Sequence, residues 1–370
     1  MGQNALTIGR SLFDLDTPCL LVDLDVLSAN LERFQRAAQA VGLGLRPHIK
    51  THKTPQIALM QKRAGALGVT ASKVSEAEVF AAAGIEDLFI ANQIIGPPKV
   101  RRLAALARYV PRLAVAVDSL ACARGLSEVF AKAGREIGVM LELDGGAERC
   151  GVLPEALLPL AEQVAPLPGL RVQGLFAYAG PAYATDDREA CAREECRLLS
   201  EQAERLRQAG FCMEVVSGGC TPTALLYPPE SGLTEIRPGT YAVNDRTQVD
   251  LGVCAEADVA ATILTTVVSV PAADRAICDA GSKSLAPMTT LLSPSFGRVW
   301  GCPECDLYLL NEEHGYLNTG PLASPPRVAD KLRLIPSRIG PTVNLYDEMV
   351  VISRERVVDV WPIAARGANQ

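Results

Sequence analysis

Short apolar runs alternate along this chain with longer stretches of helical spacing. The runs lie at Leu43 to Leu45, Leu67 to Ala71, Asp87 to Ala91, Arg112 to Val117, Ile137 to Leu143, Val172 to Tyr178, Met213 to Ser217 and Glu235 to Arg237. Continuous apolar runs of this length suit strands buried on both faces. Segments rich in alanine, glutamate and arginine separate them, as at Ser75 to Ala83, Pro98 to Arg108 and Asp187 to Ala209. Upstream, Leu27, Leu31, Phe34 and Ala38 fall on one helical face after the short apolar strand Cys19-Leu-Leu-Val-Asp23. Eight strand-helix alternations in about 200 residues predict a (β/α)8 barrel.

The pattern changes after Asn244. Val259 to Val270 is long and β-branched, and short strands follow at Ala276 to Asp279, Leu307 to Leu310, Lys331 to Ile335, Met349 to Ile352 and Val357 to Trp361, broken by proline and glycine turns. These features predict an all-β C-terminal domain. The expected class is α/β, a TIM-type barrel over residues 17–250 and a β domain over residues 251–370, joined by residues 1–16.

Composition narrows the function classes. With 370 residues, a formal charge of -6, 48% hydrophobic and 21% charged residues, the chain has the make-up of an ordinary globular protein and carries no signature of nucleic-acid or membrane-surface binding. The absence of a long apolar run and of a signal-like start leads to the expectation of a cytoplasmic protein. Eleven cysteines, an odd count, suggest reduced thiols. Cys302-Pro-Glu-Cys305 has neither a second pair nor neighbouring histidines, so zinc or redox chemistry is not expected there.

Candidate chemistry begins at Arg46-Pro-His-Ile-Lys-Thr-His-Lys53, which holds two of the three histidines. On an extended strand Arg46, His48 and Lys50 share a face. Neighbouring cations and partial burial would weaken the Lys50 ammonium and suit it to Schiff-base chemistry; a basic loop paired with carboxylates is the alternative. In such barrels the chemistry collects at the C-terminal ends of the strands. There lie Arg149 in Asp144-Gly-Gly-Ala-Glu-Arg-Cys-Gly151, then Tyr178, then Ser217-Gly-Gly-Cys-Thr221, then Arg237-Pro-Gly-Thr-Tyr241. Glycine turns after adjacent late strands, with Ser and Thr hydroxyls, read as a phosphate cradle. A reactive lysine and a phosphate cradle at one barrel mouth suggest pyridoxal 5′-phosphate.

These elements, with Asp279-Ala-Gly-Ser-Lys283, Glu312-Glu-His-Gly315 and Pro341-Thr-Val-Asn-Leu345, resemble those of the D-threonine aldolase and D-serine dehydratase family, the alanine-racemase-like, fold type III pyridoxal phosphate enzymes. The resemblance runs from about Thr17 to Trp361. It implies a homodimer, with Lys50 as the Schiff-base residue and Lys53 in a supporting role. It further implies that Arg149 and Tyr178 lie near the cofactor ring, that Ser217, Gly218, Gly219, Thr221, Gly239, Thr240 and Tyr241 surround its phosphate, and that Arg237 stands by its pyridine nitrogen. Lys50, His52 and His314 are the candidate bases.

The chain also departs from the family. Its members commonly carry a histidine and, two residues later, a cysteine or aspartate just before Pro-Thr-Val-Asn, and these hold a divalent metal. Here Arg338 and Gly340 stand at those positions and Pro181 replaces another frequent histidine. No metal site is therefore expected, and Arg338 is read as a fixed cation serving the substrate's β-hydroxyl or an acidic group. The expected activity is a metal-independent lyase acting on a D-β-hydroxy-α-amino acid, by aldol cleavage or dehydration. A racemase or epimerase, and a non-catalytic pyridoxal phosphate carrier, are the alternatives.

Overall fold

The computed structural model describes residues 8–290 and 292–370, so residues 1–7 of the expected N-terminal connection lie outside it. The chain divides into two compact units. One comprises Arg33–Lys50, Ile57–Gly239 and Ala368–Gln370, and the other the N-terminal segment through Glu32, Thr51–Gln56 and Thr240–Gly367.

The first unit is the barrel. Its eight parallel strands follow the order Gly44–Leu45, Glu235–Ile236, Val215–Gly218, Leu170–Phe176, Ile137–Glu142, Arg112–Val117, Asp87–Gln93 and Val69–Ala71. The ring closes where His48 bridges Thr70 and the Leu67 and Thr70 N–H groups donate to the carbonyls of Leu45 and Pro47, at 2.9 and 2.8 Å. Helices between the strands start on expected signals. Ser119 accepts from the Cys122 N–H ahead of Leu120–Lys132, Asp187 accepts from the Ala190 N–H ahead of Arg188–Gln208, and Pro97 opens Pro97–Leu106. All eight strands fall within a few residues of the predicted runs, but among the described residues no helix separates Val215–Gly218 from Glu235–Ile236.

Inside the ring the residues that alternate inward are not all apolar. Phe89, Ala116, Met140 and Phe176 make one buried cluster. Beside it runs a charged layer: Arg46 donates through Nη1 to Asp87 and through Nε to Glu235, the latter at 2.8 Å. The strand Val69–Ala71 stands between Arg46 and Asp87 in the sheet, so the guanidinium crosses behind it. Gly68 allows this, since a Cβ there would come within 2.5 Å of Arg46 Nη1.

The second unit is built on a nine-stranded, mostly antiparallel sheet. Its order is Arg275–Cys278, Gly315–Asn318, Cys302–Leu310, Gly297–Val299, Lys331–Pro336, Ala261–Ala272, Cys19–Asp23, Glu348–Ser353 and Arg356–Pro362, with Arg275–Cys278 also paired to Ala261–Ala272. The domain boundary thus departs from residues 17–250 and 251–370. Cys19–Asp23 joins this sheet, pairing antiparallel with Ala261–Ala272 and parallel with Glu348–Ser353. The segment before it is held there too, with the Gly9 and Leu12 N–H groups donating to Val357 and Glu355. Cys302 and Cys305 lie on one strand with free thiols, and burial pushes the Cys305 thiol up to about 12.

Removing Arg46 leaves the buried Glu235 without its cation, while the half-buried Asp87 keeps Arg112 at 2.9 Å. Arg46→Ala is therefore expected to cost about 3 kcal/mol by urea denaturation. Lys132→Ala, which breaks the exposed pair with Glu128, should stay within about 0.5 kcal/mol. A loss below about 1 kcal/mol at Arg46 would show that the charged layer contributes nothing to the barrel.

Candidate active site

Lys50 lies in the short turn Ile49–Thr51 that follows the first barrel strand. The expected alternation is present: Leu45, Pro47 and Ile49 are buried, while Arg46 and His48 are half-buried and Lys50 is exposed. The expected partial withdrawal of Lys50 from water is not. Ladder pairing ends at Leu45 apart from the His48 bridge, so the chain has left the sheet before Lys50. Arg46, the nearest expected cation on that face, is offset by two carboxylates. Lys50 is thus an exposed primary amine at the strand end, and its backbone N–H donates to His48 Nδ1 at 3.5 Å.

The charged layer continues from Glu235 toward the strand ends. Ser217 Oγ donates to Glu235 Oε1 at 2.8 Å and accepts from Arg237 Nη1. Arg237 Nη2 donates to the Ala177 carbonyl at 2.5 Å, and its guanidinium carbon lies 5.9 and 5.1 Å from the ring centres of Phe89 and Phe176. Burial lowers the Arg237 pKa, opposed first by Glu235. The Ser217 hydroxyl is therefore committed to the barrel interior and is not the phosphate donor that the sequence suggested.

The glycines of the turn have a buried partner of their own. The Gly219 N–H donates to both carboxyl oxygens of Glu195, at 3.1 and 3.2 Å. Gly219 has φ of +82°, in the region that favours glycine, and a Cβ there would lie 2.9 Å from Ile236. Gly218 and Thr221 are buried in the same turn, and burial pushes the Cys220 thiol up to about 12, which leaves it inert. Gly239 ends this unit and is half-buried.

Arg149 is exposed and stacks over Tyr178, 4.9 Å from its ring centre. Its loop is shaped by Asp144, whose Oδ1 accepts from the Gly146, Ala147 and Glu148 N–H groups. Nearby, Gln93 donates to Glu142, and burial raises the Glu142 pKa. Asp118, Glu142 and Cys150 bring their ligand atoms within 4.8 Å of one another, the one such group among the described residues. The sequence reasoning missed Glu142, Glu195 and Glu235. Only Glu235 had a readable signal, since it stands two residues before Arg237 and so shares its strand face.

The remaining candidates belong to the other unit. His52 is fully buried, and its Nδ1 accepts from the Thr54 N–H at 3.1 Å, which makes it a poor base for a substrate in solvent. Lys53 is buried with φ of +51°, and its Nζ donates to the Ala365 carbonyl, a structural role. His314 sits exposed in the turn between Cys302–Leu310 and Gly315–Asn318. Thr240 and Tyr241 open the short turn Thr240–Ala242, with Tyr241 fully buried. Arg338 caps the short helix Ile339–Val343, and buried Asp245 faces its charge while accepting from the Ile339 and Gln248 N–H groups. Burial pushes Asp245 up to about 6, and Arg338 pulls the other way.

A metal does not fit at Arg338 and Gly340. Guanidinium has no lone pair to give, glycine has no side chain, and the adjacent carboxylate is already engaged by two N–H donors. Pyridoxal phosphate fits the barrel mouth better. An accessible amine, a fixed cation against two aromatic rings and a tight glycine turn are the groups that an aldehyde, a pyridine ring and a phosphate call for.

The comparisons agree. Residues 22–246 match the family model "Alanine racemase, N-terminal domain", and residues 260–352 match "Putative serine dehydratase domain". The chain is 39% identical to a D-threonine aldolase of an Arthrobacter species, over 98% of this chain and 96% of that one. It is 34% identical to a 3-hydroxy-D-aspartate aldolase of Paracoccus denitrificans, over 97% and 94% of the two chains. The solved structure of D-threonine aldolase from Filomicrobium marinum superposes with a TM-score of 0.91 at 33% identity, covering 98% and 99%. Fold, motif order and full-length similarity thus converge, and the chain belongs to the D-threonine aldolase and D-serine dehydratase family of alanine-racemase-like, pyridoxal phosphate-dependent lyases.

Proposed function

We propose that this protein breaks down D-configured β-hydroxy-α-amino acids, by aldol cleavage or dehydration, through Lys50 and without a metal at Arg338 and Gly340. The observation that carries the reading is Lys50 itself, a reachable amine at the strand end of a barrel whose relatives are named as aldolases. Pyridoxal phosphate, when bound, supplies the electron sink that weakens bonds at the substrate's α-carbon. Lys50 is the residue to hold its aldehyde carbon. The turn of Gly218, Gly219 and Thr221, with Gly239, is the one to receive its phosphate, and Arg149 and Tyr178 close over the ring.

Arg237 is held by Ser217 and Ala177, so its charge is fixed in place. A permanent cation beside a pyridine nitrogen opposes its protonation, which makes the site a moderate electron sink rather than a strong one. Among the named bases, Lys50 is exposed whereas His52 is buried with Nδ1 engaged. Exposure thus sets His52 aside and leaves Lys50 and the exposed His314 to take the proton of the substrate's hydroxyl or α-carbon, of which Lys50 is the one at the barrel strand end. Arg338, always protonated, donates hydrogen bonds to the β-hydroxyl or to an acidic substituent.

Borohydride treatment of the coloured protein, followed by peptide mass spectrometry, should place the reduced pyridoxyl group on Lys50. An adduct on Lys53, or none, overturns the assignment. Incubation with D-threonine, D-serine and D-3-hydroxyaspartate, assayed for aldehyde, keto acid and enantiomer, separates aldolase, dehydratase and racemase activity.

The role of Arg338 has its own test. Activity should survive exhaustive chelation, and Arg338→Ala should lose about 2–4 kcal/mol of transition-state stabilisation, seen in kcat if the contact forms there. Arg338→His with Gly340→Cys should create metal dependence. The side chain at 340 has room, since a Cβ there meets only ordinary contacts, the nearest at 3.7 Å. Loss of wild-type activity in chelator, with recovery on adding manganese or zinc, would sink the metal-free reading. We also propose a homodimer, by the family resemblance; a monomeric mass at micromolar concentration with full activity would refute it.

A further inference from the structure

Glu195 is an acid in an apolar place. It lies on the inner face of the helix Arg188–Gln208 with Ala192, Cys196, Leu199, Ala203 and Leu206, and is 4% exposed. An isolated carboxyl on that face costs more than a leucine of similar size would, so its position needs partners. It has three kinds. The Gly219 N–H donates to both oxygens, the Ala179 backbone N–H donates as well, and the Tyr227 hydroxyl makes a short bond to Oε2.

Tyr227 carries the connection on. Its hydroxyl lies 2.9 Å from Thr223 Oγ1, which in turn accepts from the Cys220 N–H at 3.2 Å. One carboxyl therefore joins the loop after the strand Leu170–Phe176, which contains Tyr178, to the turn after Val215–Gly218. The two segments pack directly, with Ala179, Ala182 and Cys220 in one buried cluster against Tyr178.

Gly218 keeps this arrangement close. A Cβ there would come 2.8 Å from Leu233, 3.0 Å from Leu199 and 3.2 Å from Glu195 Cδ, so a side chain would press on the acid and on the leucines beside it.

We infer that Glu195 is the positioning residue of the turn that receives the cofactor's phosphate, acting through Gly219 and through Tyr227 and Thr223 rather than by touching the ligand. The inference rests on the proposal that this turn takes the phosphate. Burial raises the carboxyl's pKa, and Tyr227, Cys220 and Arg237 are the titratable or charged groups facing it from other elements, with Cys191 and Cys196 on its own helix.

The test compares pyridoxal phosphate with pyridoxal, which lacks the phosphate, by equilibrium binding to the full chain and its variants. Glu195→Ala should weaken pyridoxal phosphate by about tenfold or more while leaving pyridoxal within about twofold. Glu195→Gln keeps one acceptor oxygen for Gly219 and should restore most of the preference. If Glu195→Ala fails to fold, Tyr227→Phe should shift the preference in the same direction by less. Equal weakening of both ligands would mean that Glu195 only supports packing, and an unchanged preference would mean that the turn does not depend on it; either overturns the inference. A wild-type chain with no preference between the two ligands would instead refute the phosphate assignment on which it rests.

Discussion

A cation held between two acids sets the terms for the barrel. Arg46 cannot leave without stranding the buried Glu235, and it also reaches Asp87, so three strands of the ring are tied at one point. Glu235 has a second oxygen, and that oxygen takes the Ser217 hydroxyl, which takes a donor from Arg237. Stability and chemistry therefore share one chain of contacts. The link that anchors the ring also fixes the guanidinium set against Phe89 and Phe176.

The mouth of the barrel is organised by a second buried acid with no strong counter-ion. Glu195 has backbone N–H groups and a phenol in place of an arginine. Such donors favour the carboxylate that burial disfavours, and the N–H groups draw their geometry from the backbone they belong to. The two acids divide the work: Glu235 fixes a side chain, and Glu195 fixes a loop. Neither contact needs a bound ligand to form.

How legible these features were depends on where their partners lie in sequence. The eight barrel strands could be read because buried parallel strands are continuous apolar runs that carry their own signal. Gly297–Val299 and Gly315–Asn318 could not, since three or four half-buried residues carry too little pattern. Cys19–Asp23 was seen as a strand but placed in the wrong unit, because its neighbours Ala261–Ala272 and Glu348–Ser353 come late in the chain. Residue types at the mouth were also readable, but their use was not. Ser217 looks like a phosphate donor until Glu235, 18 residues away, is found to hold its hydroxyl, and nothing local to Gly219 announces Glu195, 24 residues away. Periodicity says which face a residue takes, and only packing says which partner has claimed it.

Arg338 shows how a substitution at one position constrains the rest of a mechanism. A divalent metal can lower the pKa of a bound hydroxyl and so help remove its proton. A guanidinium stabilises negative charge by hydrogen bonding but has no vacant coordination site and never acts as a base. With Asp245 buried beside it and engaged by the Ile339 and Gln248 N–H groups, the local carboxylate is occupied as well. If Arg338 stands in for a metal, the proton must therefore go to a group that the solvent and the substrate can both reach. His52 is enclosed and its Nδ1 is taken, whereas Lys50 and His314 are exposed. On that reading more of the proton transfer falls on an exposed base than a metal-assisted arrangement would require.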